Sequence, residues 1–284
     1  MNETIEKEQI INTKYIIVFY LLSFGIAWIF WVPMALNHLK LIHFKIPLLI
    51  GQSIGAFAPL CSVYIISRLI KSKQFFNSFF KSVKKTKKQI LLAILSALFA
   101  IIIAIIVSFI IWISDMDSTS NIIKSKYFQK YGVVVIAIMF IQFITAFIGS
   151  PLGEEIGWRG FALTNISHRT GRLLASSIVG VLWWTWHLPL FIVLDVPITF
   201  YACMEFVGFS FIIDTLFIYS QNNLLIAMLC HQSINTKFTF FAGRTSNMPG
   251  LIILWAICII LFLVFEYYLK KSFHHKFKQI KTLQ

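Results

Sequence analysis

Acidic residues are scarce in this chain of 284 residues, which contains only 11 aspartates and glutamates. Charged residues of both signs make up 13% of the sequence, whereas 58% of the residues are hydrophobic and the mean hydropathy is +0.80. So little charge is not typical of a soluble globular domain and is typical of a polytopic membrane protein. Low-complexity linkers and an internal repeat are also absent from the sequence, which predicts one integral membrane domain over residues 1–284.

Cysteines are few as well, and their positions argue against the usual cysteine chemistry. None of the four is spaced like a zinc ligand, and all of them lie within apolar runs. Disulfides and a thiolate metal site are therefore not expected, and the side chains are predicted to act as small hydrophobic groups in the interior. The four are Cys61, Cys203, Cys230 and Cys258.

Long apolar runs account for most of the chain. Eight of them are long enough, or nearly long enough, for an α-helix to cross the hydrocarbon core of a bilayer. The sequence therefore predicts an all-α fold, with about eight transmembrane helices around a polar cavity in the membrane. The first run is too long for a cleavable signal peptide and follows three glutamates. The predicted spans are 15–36, 46–67, 90–113, 132–150, 173–194, 198–218, 223–241 and 250–269.

The 25 basic residues are unevenly distributed. Many of them crowd into the connection at 68–88 and the tail at 270–281, and an eight-span arrangement places both segments on the side of the N-terminus. Since positively charged loops stay in the cytoplasm, both termini are predicted to be cytoplasmic, in a bacterial plasma membrane. The net charge of +14 then indicates contact with the lipid bilayer rather than with nucleic acid. Segment 71–89, which also carries phenylalanines, is either an amphipathic helix on the inner leaflet or a solvated loop.

Polar residues gather at about 140–245, which is the expected catalytic core. The first cluster is GEEIGWRG at 153–160. On a helix Glu155 and Arg159 are i, i+4 neighbours in the orientation that favours pairing, whereas Glu154 points about 100° away. One carboxylate is then neutralised, and the other stays available as a general base. The alternative is a charge cluster at the cytoplasmic end of a helix.

Two histidine clusters follow. His187 ends the run WTWH inside the fifth apolar span and precedes Pro189, which frees a backbone carbonyl and suggests a shaped cavity. His231 and Asn235 are i, i+4 in HQSIN, so they share a helix face and can address one substrate atom. The alternatives are an interior histidine beside an interfacial aromatic belt, and a pair of residues that hydrogen-bond helices together.

Together these clusters supply a carboxylate, two imidazoles and a carboxamide. The set suffices for water activation and oxyanion stabilisation in amide hydrolysis. A glutamate with two histidines is also a known zinc ligand set, although the sequence contains no HExxH motif to support a metal. Glu205 and Asp214 of the sixth span lie on opposite helix faces, where they pair with other helices, line an access path or modulate the site.

The three clusters, in this order on separate helices, resemble the motifs of the CAAX protease and bacteriocin-processing (CPBP, or Abi) family of intramembrane proteases. The family shows EExxxR, then FxxxH, then HxxxN or HxxxD. These motifs correspond to EEIGWR at 154–159, to WTWH ending at His187 and to HQSIN at 231–235. Trp183 stands where the family usually has phenylalanine, and it is expected to pack beside the site. The resemblance covers residues 140–245.

The resemblance implies an intramembrane endopeptidase that cuts a membrane-associated peptide or protein. It implies Glu154 as the general base that activates water, His187 as the group that holds this water, and His231 with Asn235 as the oxyanion hole. A metal-free mechanism of the glutamic type is favoured, and a zinc-dependent one is the alternative. The supporting residues are Glu155, Arg159 and Trp183.

The predicted spans conflict with this site in depth. On their boundaries Glu154 lies at the cytoplasmic surface, whereas His187 lies in the outer half of the fifth span. The motifs carry more weight than the boundaries, so the helix of the fourth span is expected to continue through 150–160, or the site to be reached by helix tilt.

The substrate is not specified by the residues. Eukaryotic members of the family cut prenylated CAAX proteins, but the composition is typical of an AT-rich bacterium, where such substrates are not expected. The resemblance to bacterial members implies peptide maturation, bacteriocin self-immunity or regulation of membrane signalling. Two other functions stay open: a non-catalytic immunity or scaffold protein with the same fold, and a proton-coupled transporter, although the repeats that transporters show are absent from the sequence.

Overall fold

The computed structural model describes residues 11–80, 86–113, 130–240, 255–260, 263–264 and 267, and within these ranges all regular structure is helical. The predicted all-α fold class is confirmed. A 3₁₀ turn (Gly132–Val134) precedes helix α6, and a π-helical segment (Ile156–Leu163) joins α7 to α8. The helices are α1 (Thr13–His38), α2 (Leu48–Ala56), α3 (Ala58–Leu69), α4 (Lys73–Ser78), α5 (Lys87–Ile113), α6 (Val135–Gly149), α7 (Pro151–Glu155), α8 (Thr164–Thr170), α9 (Arg172–Trp186), α10 (Leu188–Val193), α11 (Phe200–Tyr219) and α12 (Leu224–Phe240).

Four helical stretches of the described chain are long and apolar enough to cross a membrane, which makes the protein a polytopic membrane protein. They are Thr13–His38, Leu48–Leu69, Gly132–Thr170 and Phe200–Tyr219, and they correspond to the first, second, fourth and sixth predicted spans. The third, fifth and seventh predicted spans coincide with α5, with α9 and α10, and with α12. Most of the eighth, 250–269, lies outside the described residues.

The helices pack in pairs around an apolar core. Helix α12 lies along α5, α9 lies along α11, and α1 contacts both α3 and α10. Fully buried side chains between them include Trp31, Trp158 and Trp186. This dense aromatic interior forms the walls of the polar site.

The predicted C-terminal boundary of the fourth span was wrong, and the expected continuation of its helix through 150–160 is confirmed. Instead of ending at residue 150, the helical stretch runs on to Thr170 after a single break at Ser150. The backbone of Ser150 is not helical (φ −142°, ψ −71°), and Pro151 occupies the first turn of the helix that follows. The continuation places Glu154 inside the bundle, and Arg159 is buried rather than part of a cytoplasmic connection.

Close backbone packing fixes this second half of the stretch against α2 and α3. A Cβ atom built on Gly153 would lie 2.5 Å from the carbonyl oxygen of Ala56, and one built on Gly157 would lie 2.4 Å from the Cβ of Pro59. The two glycines are four residues apart, the small-residue spacing that lets transmembrane helices approach closely. They therefore set the position of the intervening Glu154 and Glu155.

Replacing Gly153 by alanine is expected to destabilise the protein by about 1–3 kcal/mol, because the added methyl group would overlap backbone atoms that have no room to move. The measurement is thermal unfolding of the purified protein in detergent. Gly25→Ala is the matched control, since a Cβ at Gly25 meets nothing within 4 Å. Equal melting temperatures for the two variants would contradict this packing.

Three phenylalanines of segment 71–89, Phe75, Phe76 and Phe79, pack against the core of the protein. Phe75 and Phe79 contact each other edge to face at 5.2 Å, and Phe75 also meets Phe161 of the π-helical segment at 6.1 Å. Helix α4 is therefore a short helix docked on the bundle, which favours the helical alternative for residues 73–78. Residues 81–85 of that segment lie outside the described residues.

All four cysteines are free. The predicted interior position is confirmed for Cys230 and Cys258, which are buried, whereas Cys203 is partly buried. The prediction was wrong for Cys61, which lies on an exposed face of α3.

Candidate active site

The carboxylate of Glu154 is buried, with 2% of the residue exposed. Its Oε1 accepts a 2.7 Å hydrogen bond from the hydroxyl of Ser150, and its Oε2 accepts a 2.8 Å hydrogen bond from the indole N–H of Trp183. Both donors are neutral, so neither removes the negative charge of the carboxylate. Each oxygen also retains a lone pair that can accept a further proton donor.

Arg159 forms its ion pairs with acids other than Glu154. The guanidinium donates from Nε to Asp214 Oδ1 at 2.9 Å, from Nη1 to Glu155 Oε1 at 3.0 Å and from Nη2 to Ser210 Oγ at 3.3 Å. Arg159, Glu155 and Asp214 are all fully buried. The predicted i, i+4 pair is therefore confirmed, and Asp214 of α11 pairs with another helix, one of the roles expected for it.

His231 is joined to this network through Glu155. Its Nδ1 lies 2.7 Å from Glu155 Oε1, the same oxygen that Arg159 contacts. Since a carboxylate paired with a guanidinium accepts hydrogen bonds, Nδ1 carries the proton and Nε2 faces the rest of the site. Glu155 thus fixes the ring orientation of His231 on α12.

His187 lies between α9 and α10, at the C-terminal end of α9. Its Nδ1 is 2.8 Å from the backbone carbonyl oxygen of Trp183, which can only accept, so Nδ1 carries a proton here as well. Phe191 stacks on the imidazole at 5.6 Å with an interplanar angle of 10°, and Trp186 meets it at 4.7 Å. The ring is therefore held in place and its Nε2 is left to act as an acceptor.

Asn235 reaches the first cluster through Ser150. Its Nδ2 lies 3.5 Å from the Ser150 oxygen, whose proton is donated to Glu154. The hydroxyl oxygen of the next residue, Thr236, lies 3.3 Å from Gln142 Oε1 of α6. The polar face of α12 thus packs on α6 beside the helix break.

Trp183 contacts four other residues of the site. Besides its hydrogen bond to Glu154, its ring meets the His231 ring edge to face at 5.0 Å and covers the Arg159 guanidinium at 4.8 Å. Its carbonyl oxygen orients His187. Trp183 therefore packs beside the site as expected, and its hydrogen bond to Glu154 was not predicted from the sequence.

The structure therefore brings together all of the predicted site residues, which form one contact network across α7, the π-helical segment, α9 and α12. The predicted depth conflict between Glu154 and His187 is resolved by the continuing helix. Trp183 links the two parts of this network, because its indole N–H donates to Glu154 and its ring contacts His231. Glu205 is buried as well.

Sequence reasoning missed two serines. Ser150 precedes Pro151, and a proline often occupies the first turn of a helix. This pattern could have predicted that a helix starts here and that the Ser150 hydroxyl is available to a partner on another residue. Ser210 is i, i+4 to Asp214 and contacts both that carboxylate and Arg159. Neither belongs to a motif, because their roles arise only when helices meet.

A zinc ion was the alternative that the glutamate and histidines left open. Across residues 11–80, 86–113, 130–240 and the short described pieces beyond, no three His, Cys, Asp or Glu side chains are grouped so that they could hold a metal ion. No step of the mechanism below passes through a metal ion.

The fold and this site define an all-α integral membrane protein with a buried carboxylate–imidazole site. Comparison with known proteins goes further. The profile of the family described as type II CAAX prenyl endopeptidase Rce1-like matches residues 131–237, which contain all three motifs. The chain is also 32% identical over 66 residues to CAAX prenyl protease 2 of Methanococcus maripaludis; the aligned part is 23% of this chain.

These two matches confirm the resemblance to the CPBP family of proteases. The alignment spans only about a quarter (24%) of the length of the archaeal relative. This short alignment does not by itself establish the activity of the whole protein.

Proposed function

We propose that this protein is an intramembrane endopeptidase that hydrolyses a peptide bond in a membrane-associated peptide or protein. The observation that carries the proposal is the environment of Glu154, an acid 2% exposed whose hydrogen bonds come from a hydroxyl and from the indole of Trp183. The same indole ring contacts the imidazoles of His187 and His231. Burying a carboxylate without a hydrogen-bonded cation is unfavourable and marks a functional site.

Water activation falls to Glu154 and His187. A water molecule between them donates one hydrogen bond to the carboxylate and the other to the unprotonated Nε2 of His187. Glu154 takes the first proton as the water oxygen adds to the substrate carbonyl carbon, and it later delivers that proton to the leaving amine nitrogen. The hydrogen bond from His187 Nδ1 to the Trp183 carbonyl keeps Nε2 in the accepting form.

Oxyanion stabilisation falls to His231 and Asn235. Because His231 Nδ1 donates to Glu155, its Nε2 donates to the oxyanion only when the ring is an imidazolium. The side-chain N–H₂ of Asn235 supplies the second donor.

The mechanism is of the glutamic type and needs no metal. Cleavage of a membrane-bound reporter peptide is therefore expected to proceed at an unchanged rate after treatment with a strong chelator and dialysis. The measurement compares initial rates for treated and untreated protein, and for treated protein resupplied with zinc. Loss of activity on chelation that zinc restores would overturn the metal-free mechanism.

The substrate is proposed to be a peptide or protein held at the membrane, with the site in a bacterial plasma membrane and both termini in the cytoplasm. Such a cut would serve peptide maturation, bacteriocin self-immunity or control of membrane signalling, the three roles that the resemblance to bacterial relatives implies. The name of the archaeal relative makes a prenylated CAAX peptide the first substrate to test. The assay compares this peptide with a lipidated peptide lacking the CAAX sequence and with an unmodified hydrophobic peptide. A non-catalytic immunity scaffold or a proton-coupled transporter would cleave none of them.

A further inference from the structure

We propose that Trp183 and Ser150 are positioning residues that clamp the carboxylate of Glu154, one on each oxygen. The inference rests on the proposed role of Glu154 as the base. The two donors come from different elements, the indole from α9 and the hydroxyl from the break before α7. With 2.8 Å and 2.7 Å contacts on Oε2 and Oε1, the plane of the carboxylate is fixed about its last torsion angle.

The indole nitrogen is the part of Trp183 that does this positioning. The ring contacts with His231 and Arg159 and the backbone contact with His187 need only an aromatic residue at this position. The phenylalanine typical of the family preserves them, but it has no N–H to donate to Glu154. This protein therefore carries a hydrogen bond on its base that the usual motif does not provide.

The helix break at Ser150 allows its hydroxyl to donate to Glu154. In a continuous helix a serine hydroxyl commonly donates to a carbonyl of the preceding turn. At Ser150 the backbone leaves the helical conformation, and the hydroxyl donates to Glu154 while its oxygen lies 3.5 Å from Asn235 Nδ2. Ser150 thereby ties the base to the carboxamide proposed for the oxyanion hole.

The clamp itself is tested by indole N–H signals. In protein labelled with ¹⁵N-tryptophan, the signal that disappears in Trp183→Phe belongs to Trp183. We expect this signal to move when Glu154→Gln replaces the charged acceptor by a neutral one, and to stay unchanged in Asp195→Asn, which alters an exposed acid on a turn. A Trp183 signal unmoved by Glu154→Gln would overturn the clamp, whatever the activity of the protein.

The positioning role is tested by kinetics. A hydrogen bond to a charged group is worth about 1.5–3 kcal/mol, so Trp183→Phe and Ser150→Ala are each expected to lower kcat about 10-fold to 100-fold. KM should change less than about twofold, because neither group is proposed to bind substrate. Ser150→Thr retains the hydroxyl and is expected to restore most of the rate that Ser150→Ala loses. Trp28→Phe removes an indole donor to a backbone carbonyl instead, and it is expected to leave kcat unchanged.

The outcomes separate this inference from the proposed function. Wild-type kcat in both Trp183→Phe and Ser150→Ala would overturn the positioning role while leaving Glu154 as the base. Loss of activity in Ser150→Thr equal to that in Ser150→Ala would overturn the part assigned to the hydroxyl. A Glu154→Gln variant as active as wild type would instead overturn the proposed function.

Discussion

Glu154→Gln is expected to lower peptide cleavage by about 10²- to 10⁴-fold, the range that a general base contributes. The amide keeps the size of the side chain and can still accept the hydrogen bond from Trp183, so the packing of the site should survive. What it loses is the capacity to take a proton from water. The measurement is the rate of cleavage of a membrane-bound reporter peptide by purified protein in lipid.

The control for this variant is Asp195→Asn, which makes the same change from acid to amide at an exposed turn. It is expected to cleave at the wild-type rate. The melting temperature of Glu154→Gln should also match or exceed that of the wild type, because a buried charge is removed. Wild-type cleavage by Glu154→Gln would refute the mechanism.

Arg159→Met is expected to have the largest effect on stability. The guanidinium contacts Glu155, Asp214 and Ser210 at once, and all of these groups are buried. Removing it leaves two carboxylates without their cation, and loss of one partner from a buried ionic network costs about 3–5 kcal/mol. Unfolding of the purified protein by heat or denaturant is the measurement.

A triple variant separates the ionic explanation from a loss of packing. Combining Arg159→Met with Glu155→Gln and Asp214→Asn removes the stranded charges, and replacement of a whole buried ionic group is often close to neutral. The triple variant is therefore expected to be more stable than Arg159→Met alone. If it were less stable, packing around the guanidinium rather than charge would account for the loss.

The helical class and the membership of the site followed from local patterns. Hydrophobic runs of transmembrane length predicted helices, and four residues of separation predicted the pairing of Glu155 with Arg159. The formation of a helix and the pairing of two residues four positions apart both depend on chemistry within a single helix, so they can be predicted directly from the sequence. The same holds for His231 and Asn235, which lie on one helix as predicted.

The contacts between helices could not be read in this way. Nothing in the sequence connects Asp214 with Arg159, 55 positions away, or His231 with Glu155, 76 positions away. The wrong boundary at residue 150 has a physical cause too. Glu154 and Glu155 suggested the end of a span, whereas the bundle surrounds these acids with partners and the helix continues as a π-helical segment. Such segments often occur at functional sites.

The most direct test of the central claim is cleavage in water enriched in ¹⁸O. Purified protein in lipid is incubated with the membrane-bound peptides described above, and the products are analysed by mass spectrometry. We predict cleavage at one peptide bond, with one ¹⁸O atom in the new carboxyl terminus, and no product with Glu154→Gln. Absence of cleavage with all of the peptides, or equal product from Glu154→Gln and wild type, would contradict the account.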